Sequence, residues 1–521
     1  MSVNQDQEGL PVVVIGGGLG GLSAAAILAR HGFPVTLVEQ HRNLGGYATT
    51  FNRAAGKFTF EVSLHATNTV AQGPMRRVFE EAGILDRIEM VDLPELCRII
   101  TPDHDMIWPQ RDPDAIIDLL CQTFPSETNG IKGFFGKMQT IMEDAQKPFD
   151  PDSLWDKIRF PLTHRSWWGI RNMTFGNLLD KYIRDPKART VLSIFWIYYL
   201  LPPSKLSGFI YLIATGAYIW GGGYYVKRRS QDLSYALRDA IKEAGGRILL
   251  ETEAVGITMK DGAVSGVALK DGSTLKARAV ISNVSVPVTM KMISQNAPPE
   301  KYSKKALKYL DKITTYRPSL SSFVVWLGLN QEIRGRVKCH QTFLVQHYDP
   351  EEAYQGCLAC NPSKAYKLVT IYDNTYPGYS QPGTSSITIY LPSGYEPWRS
   401  FETNYLAGRK DAYIKEKTRI TEELIEQVEK LVIPGLRSMI EVKEAATPLT
   451  NLRYTKNPEG AICGYEWSMN NSFMNRIKNT TPFQGLYLAS AWSNPGGAYI
   501  STLDSGFSAY KALVKDWGKQ V

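Results

Sequence analysis

Residues 12 to 39 constrain this chain more than any other stretch. Val12-Val13-Val14-Ile15 is an unbroken apolar run, the composition of a strand covered on both faces. It leads into Gly16-Gly17-Gly18-Leu19-Gly20-Gly21 and then into Leu22-Ser23-Ala24-Ala25-Ala26-Ile27-Leu28-Ala29, a run that reads as a helix. Phe33 to Val38 reads as a second strand, and Glu39 closes it. Gly16, Gly18 and Gly21 satisfy G-x-G-x-x-G, and the order strand, turn, helix, strand, acid predicts a βαβ unit. Gly16 makes the tight turn, Gly18 lets backbone approach a diphosphate, and Gly21 lets helix lie against strand. The helix N-terminus draws phosphate charge, and Glu39 stands where an acid holds a ribose hydroxyl. The expected fold class is α/β, with a Rossmann-type dinucleotide-binding domain.

The 521 residues are enough for about two to four domains. A hydrophobic content of 43% is that of a globular chain. The net charge of +8 is mild for this length, which argues against a nucleic-acid partner and suits a surface resting on anionic lipid. The first residues are polar and include Asp6 and Glu8, so no secretory signal is expected there. Six cysteines do not make a disulfide framework and fit a cytoplasmic setting. Cys357 and Cys360 form C-x-x-C, with Cys339, His340 and His347 nearby. No second pair completes a zinc pattern and no thioredoxin-like unit surrounds them, so no metal site is expected.

No internal repeat or low-complexity linker divides the chain. Asp232 to Ala244 reads as a helix ending at Gly245-Gly246, and Arg247 to Leu250 as a strand. Ala254 to Met259, Ala263 to Leu269 and Thr274 to Ala277 read as a meander turned at Asp261-Gly262 and Asp271-Gly272. Ala279 to Asn283 closes that block. Later, Gly485 to Ser490 reads as a buried strand, Asn494-Pro495-Gly496-Gly497-Ala498 as a turn, and Asp504 to Trp517 as a helix.

Glu39-Gln40-His41-Arg42-Asn43-Leu44-Gly45-Gly46-Tyr47 sets a glycine pair shortly after the acid. This resembles the extended motif of FAD-dependent oxidoreductases of the amine oxidase and phytoene desaturase group, where the pair lies against the flavin's diphosphate. The resemblance implies FAD rather than a nicotinamide cofactor. The meander block resembles the second dinucleotide-fold segment of that group, and the closing helix the one that aims its N-terminus at the flavin. Over nearly its whole length the chain is similar to the phytoene desaturase superfamily, in particular its retinol saturase and carotenoid isomerase branch. Gly83 to Arg87, Arg111-Asp112-Pro113, Leu201-Pro202-Pro203-Ser204, Gly221 to Tyr225, Thr447 to Thr450 and Gly460-Ala461 carry that likeness by their order.

The resemblance implies a discontinuous FAD-binding domain from 10–90, 225–295 and 450–521, and a mixed α+β substrate domain from 91–224 and 296–449. It implies cofactor contacts from Gly16, Gly18, Leu19, Gly21, Glu39, Gln40, Gly45, Gly46, Tyr47, Val255, Asn283, Gly496 and Gly497. Three departures mark this chain off. Phe60-Glu61-Val62-Ser63 stands where relatives carry Phe-Asp-x-Gly. Lys227-Arg228-Arg229 follows Tyr225 where relatives have a glycine pair, and Ala498 stands where relatives have a third glycine. His65 falls where saturase-like members carry a histidine.

On the substrate side, the apolar run Leu206 to Trp220 is shorter than the ~20 residues a spanning helix needs, so no transmembrane pair is expected. It suits a tunnel wall, a dip into one leaflet, or a buried core. Trp155, Trp167 and Trp168 interleave with Lys157, Arg159, Arg165 and Arg171, which fits a membrane interface or an ordinary helix with a solvated basic face. A peripherally membrane-associated enzyme would explain both features. The resemblance implies an apolar lipid-like substrate, a polyene or isoprenoid that is saturated, desaturated or isomerised; it leaves the electron donor or acceptor open. His65 is the first candidate for proton transfer, since an unperturbed imidazole titrates near neutrality, with Tyr499 and Glu466 behind it. Two other readings stand beside this one. A flavoenzyme of unsaturated fatty acids would use Lys227, Arg228 or Arg229 for the carboxylate, and a flavin- and lipid-binding carrier would show no turnover.

Overall fold

The computed structural model describes residues 9–68, 71–147, 153–295, 302–472 and 475–518. Asp6 and Glu8 of the polar leading stretch lie outside the described residues. The chain forms β1 (Val12–Ile15), α1 (Leu19–Arg30) and β2 (Val35–Val38), and much later α2 (Ser230–Glu243), β3 (Arg247–Leu249), β4 (Ala279–Ser282), β5 (Leu486–Leu488) and α3 (Tyr499–Asp516). The five strands make one parallel sheet in the order β5-β4-β1-β2-β3. β1 shows why its run is unbroken: Val12 and Val14 join an apolar cluster with α1, while Val13 and Ile15 join one with the meander. That meander is Ala254–Lys260, Ala263–Leu269 and Thr274–Lys276, paired antiparallel. α1 packs against both α2 and α3.

A seven-stranded sheet forms the second half. Its order is Ile440–Ala446, Ser321–Leu329, Ser385–Ser393, Lys367–Ile371, Gln341–Leu344, Cys97–Ile100, Asp105–Trp108. Its pairs are antiparallel apart from Gln341–Leu344 with Cys97–Ile100. The helices Thr128–Ala145 and Gly208–Gly221 share its large apolar cluster. The hairpin Thr50–Arg53 with Phe58–Glu61 ties the two halves together. From the second sheet, Trp326 Nε1 donates to the Glu61 carbonyl at 2.6 Å, and Phe58 lies so close to Gly328 that a Cβ there would stand 2.6 Å from its ring. The apolar run after Ser207 is one helix, Gly208–Gly221, and no helix of the described residues is long and apolar enough to cross a membrane.

The elements around the glycine turns start and stop within three residues of the sequence expectation, the first helix beginning at Leu19 rather than Leu22. α3 differs: it begins at Tyr499 rather than Asp504. The β-branched Ile500 and Thr502 mask its first turn in the sequence, and burial of Leu503 and Phe507 in the α1 cluster outweighs that propensity.

Candidate active site

A cavity of about 1880 Å³ draws its wall from both sheets. Gly16, Gly18, Leu19, Glu39, Gln40, Gly45, Gly46, Tyr47 and Asn283 line it from the parallel sheet and its turns, and Gly497 and Tyr499 from the closing turn. Glu39 is fixed before any ligand arrives: the amides of Gly17 and His41 donate to its two carboxylate oxygens at 2.7 and 2.9 Å. The two glycine segments dock on each other through the Gly45 amide, 2.7 Å from the Gly17 carbonyl. Close approach forbids a side chain at Gly20, where a Cβ would stand 2.1 Å from the Ala489 carbonyl. Asn283 braces this turn by donating to the same Ala489 carbonyl.

α1 and α3 both open onto this cavity. Neither has a side-chain cap or an acid in its first turn. Each therefore presents unpaired amides and the positive end of its dipole to the same space. The arrangement suits a ligand with two separated sites of negative charge.

Not every residue expected at the site lies on the wall. Gly21 sits beneath it, where a Cβ would stand 2.0 Å from the Gly16 carbonyl, and Gly496 sits behind it, where a Cβ would stand 2.2 Å from the Trp467 ring. Val255 is 38% exposed and points away; strand alternation puts its neighbour Ala254 on the wall instead. Glu466 lies off the wall, under the influence of Arg317 and Lys205. Lys227, Arg228 and Arg229 are also off it. Lys227 pairs with Glu89 at 2.5 Å and Arg228 with Asp232 at 3.1 Å, while Arg229 lies 4.2 Å from the Tyr379 ring centroid and donates to the Tyr379 carbonyl. These charges are spent on structure, so the expected carboxylate anchor is corrected. Arg229 has φ 71° and Ala498 φ 131°, so both hold a backbone conformation that favours glycine.

His65 is on the cavity wall, its Nδ1 3.0 Å from the Thr370 hydroxyl and its ring edge-on to Tyr390 at 5.7 Å. His340 Nε2 donates to the His65 carbonyl at 2.6 Å. Burial, aided by His340, lowers His65 to about 3, and burial lowers His340 to about 4. The near-neutral titration expected of His65 is thus corrected: the ring is neutral at physiological pH. Tyr499 and Ser63 both donate to the Tyr47 carbonyl, at 3.2 and 2.9 Å, and burial pushes the Tyr499 hydroxyl far up. Ser63, the departure from glycine, is a latch on the second glycine segment.

Sequence reading did not single out Glu61 as a partner of α2. Its buried carboxylate accepts from the Tyr225 hydroxyl at 2.9 Å and the Ser230 amide at 3.0 Å. Nor did it find Trp326, Tyr390, Trp467 and Arg476, which reach the wall from scattered segments without a motif. Cys357 and Cys360 are buried free thiols whose titration burial raises, Cys360 to about 12, which suppresses thiolate chemistry.

Residues 19–509 match the family model described as flavin containing amine oxidoreductase. The chain belongs to this family. FAD is its cofactor. The two uncapped helix N-termini fit this group, which carries an anionic diphosphate and a ring system that gains negative charge on reduction. Among relatives of this flavin oxidoreductase, prolycopene isomerase 2, chloroplastic, of an Oncidium hybrid cultivar is 24% identical over 99% of this chain and 85% of its own. All-trans-retinol 13,14-reductase of Homo sapiens is 23% identical over 94% of this chain and 83% of its own. Among solved structures, an oxidoreductase from Methanosarcina mazei covers 97% of this chain and 100% of its own, with a TM-score of 0.60 at 17% identity, a likeness of fold.

Proposed function

We propose that this flavin oxidoreductase acts on carbon–carbon double bonds of a long apolar polyene or isoprenoid, as a saturase, desaturase or cis–trans isomerase. The second half of the cavity wall carries this reading. Phe195, Tyr198, Tyr199, Phe209, Ile210, Ile213, Val324, Trp326 and Tyr390 form an aromatic and aliphatic surface. Among the described residues the wall's acids are Glu39 and Glu253, held by the glycine turn and by Lys456 and Lys270. The volume of about 1880 Å³ exceeds the roughly 300–1,000 Å³ of a single-ligand pocket, leaving room for cofactor and a long second molecule. The printed activities of the two relatives, on prolycopene and on all-trans-retinol, support the same class.

FAD supplies hydride and electron chemistry when bound. The chain's own residues do the rest. The amides of Gly18 and Leu19 would receive the diphosphate, Glu39 would hold the ribose, and Gly16, whose amide donates to the Val38 carbonyl, would set the turn, while Gly45, Gly46 and Gly497 would keep backbone close around the cofactor. The apolar wall aligns the polyene and excludes water. Thr370 occupies Nδ1 of His65, which leaves Nε2 to face substrate. The Thr370 hydroxyl fixes the orientation and tautomer of the neutral ring, so His65 acts by positioning a hydrogen-bonding nitrogen at the wall. The reading includes an FAD-binding domain of 10–90, 225–295 and 450–521 and a substrate domain of 91–224 and 296–449. The parallel sheet draws on the first set and the seven-stranded sheet on the second.

The same proposal places the enzyme in the cytoplasm, at a membrane surface. On the helix Leu154–Thr163, Leu154, Trp155, Ile158 and Leu162 are 71%, 73%, 59% and 69% exposed. Lys157 of this helix and Trp167 beyond it line the cavity, so the apolar surface borders an entrance. Basic residues beside exposed aromatics suit an anionic leaflet.

Anaerobic spectroscopy of the flavin-reduced protein, with an all-trans and then a cis polyene, tests the function. Reoxidation with loss of a conjugated double bond identifies a saturase. Geometric conversion with flavin still reduced identifies an isomerase, and reduction of oxidised flavin by a more saturated isoprenoid identifies a desaturase. Reoxidation by unsaturated fatty acids alone, or by no lipid at all, refutes the polyene reading.

A further inference from the structure

Arg476 is 5% exposed and stands on the cavity wall. Among the described residues its guanidinium donates to backbone carbonyls alone: Ala491 at 2.9 Å, Ser493 at 3.3 Å and Asn471 at 3.4 Å. Its face lies 3.9 Å from the Trp467 ring centroid. The titratable groups that act on it are Cys463 and Tyr316, and no carboxylate is among them. Carbonyl dipoles satisfy donors, but they leave a net positive charge in a desolvated wall, an arrangement that is costly without an anion.

The position of that charge is informative. A Cβ on Gly496 would stand 2.7 Å from Arg476 Nη2, and the uncapped N-terminus of α3 begins three residues further on, at Tyr499. The guanidinium and the positive end of the helix dipole therefore reinforce each other at one stretch of wall. Burial lowers Arg476 to about 9, still charged at physiological pH.

We infer that Arg476 is a fixed countercharge for the flavin end of the cofactor, stabilising the negative charge gained on reduction and so raising the reduction potential. The inference rests on FAD as cofactor and on nothing about the substrate. The competing role is mechanical: Ala491 and Ser493 precede the closing turn, and Arg476 clamps them.

The test measures the flavin midpoint potential and sulfite binding to the oxidised flavin, both without substrate, in the wild type, Arg476→Met and Arg476→Lys. Sulfite adds to flavin as an anion and reports positive charge beside the ring. Arg476→Met is expected to weaken sulfite binding at least tenfold and to lower the potential by about 30 mV, the two-electron equivalent of tenfold. Arg476→Lys, which keeps the charge and loses the three-carbonyl fork, is expected to stay near wild type. An unchanged potential and sulfite affinity in a flavin-loaded Arg476→Met protein overturns the inference. So does loss of flavin from both variants, which marks a clamp. If only Arg476→Met loses flavin, the lysine variant decides: a wild-type potential supports the countercharge and a lowered one overturns it. Failure of polyenes to react touches neither readout.

Discussion

Glu61 and His340 are buried beside the half-buried His65, and the titrations of the carboxylate and the imidazoles oppose one another. Burial raises Glu61 to about 6, so the folded chain holds that proton more tightly than the unfolded chain. Its stabilising contribution is full below about 4.5 and is lost as pH rises to about 6. His65 and His340 are lowered to about 3 and 4, so the unfolded chain takes up their protons first and stability falls as pH drops below the ordinary imidazole value. The two imidazoles outweigh the single carboxylate, and the protein is expected to lose stability between pH 7 and 5. His340→Gln should lessen that loss by about 2 kcal/mol, from roughly 1.5 units at 1.36 kcal/mol each. Urea titrations of both proteins at the two pH values check it; equal losses would show that His340 is not the cause. Ala498 makes a second residue-scale prediction. At φ 131° and ψ 160° it occupies a region that is essentially glycine's, at a cost of order 1–3 kcal/mol. Ala498→Gly should raise the unfolding free energy by about 1 kcal/mol with flavin retained, and a denaturation midpoint at or below wild type would argue against strain there.

Among elements, the helix Leu154–Thr163 stands out because its apolar face is turned outward. In a chain that buries the apolar helix Gly208–Gly221 in the main cluster, that face suits a lipid surface. The double variant Trp155→Ser, Leu162→Ser removes roughly 3 kcal/mol of transferable apolar surface at about 1.5 kcal/mol per side chain or more. Sedimentation with vesicles containing anionic lipid should show at least a tenfold loss of binding, while flavin content stays unchanged. Wild-type binding by the variant would remove this helix from the membrane account. Early Lys157, Arg159 and the tryptophans hinted at such a face, but the sequence was equally compatible with a packed helix, because exposure is set by what lies opposite.

The whole molecule is organised around a cavity that neither sheet forms alone. FAD is therefore expected to stabilise the protein as one unit. At a thousandfold excess over its dissociation constant, it should add about 4 kcal/mol to the unfolding free energy. Far-UV circular dichroism and tryptophan fluorescence should report the same shift on flavin removal. A shift confined to one probe would mean that the halves unfold independently.

The cofactor cradle was legible in the sequence because a diphosphate demands glycines at set intervals, and those intervals survive as local spacing from Gly16 to Gly46. The meander and β5 were legible for similar reasons, through turn residues and apolar runs. Where Lys227 and Arg229 point was not, since each met a partner distant in the chain, Glu89 and Tyr379. Nor was the wall residue at Val255, where a one-residue alternation decides which side chain faces in. The neutral state of His65 and the isolated charge of Arg476 depend on desolvation by remote segments. By itself the sequence determined the parallel βαβ unit and the cofactor class, because both rest on neighbouring residues. Only the tertiary structure decided the apolar wall, the titration of its polar groups and the charge beside the closing helix, because burial belongs to the assembled chain.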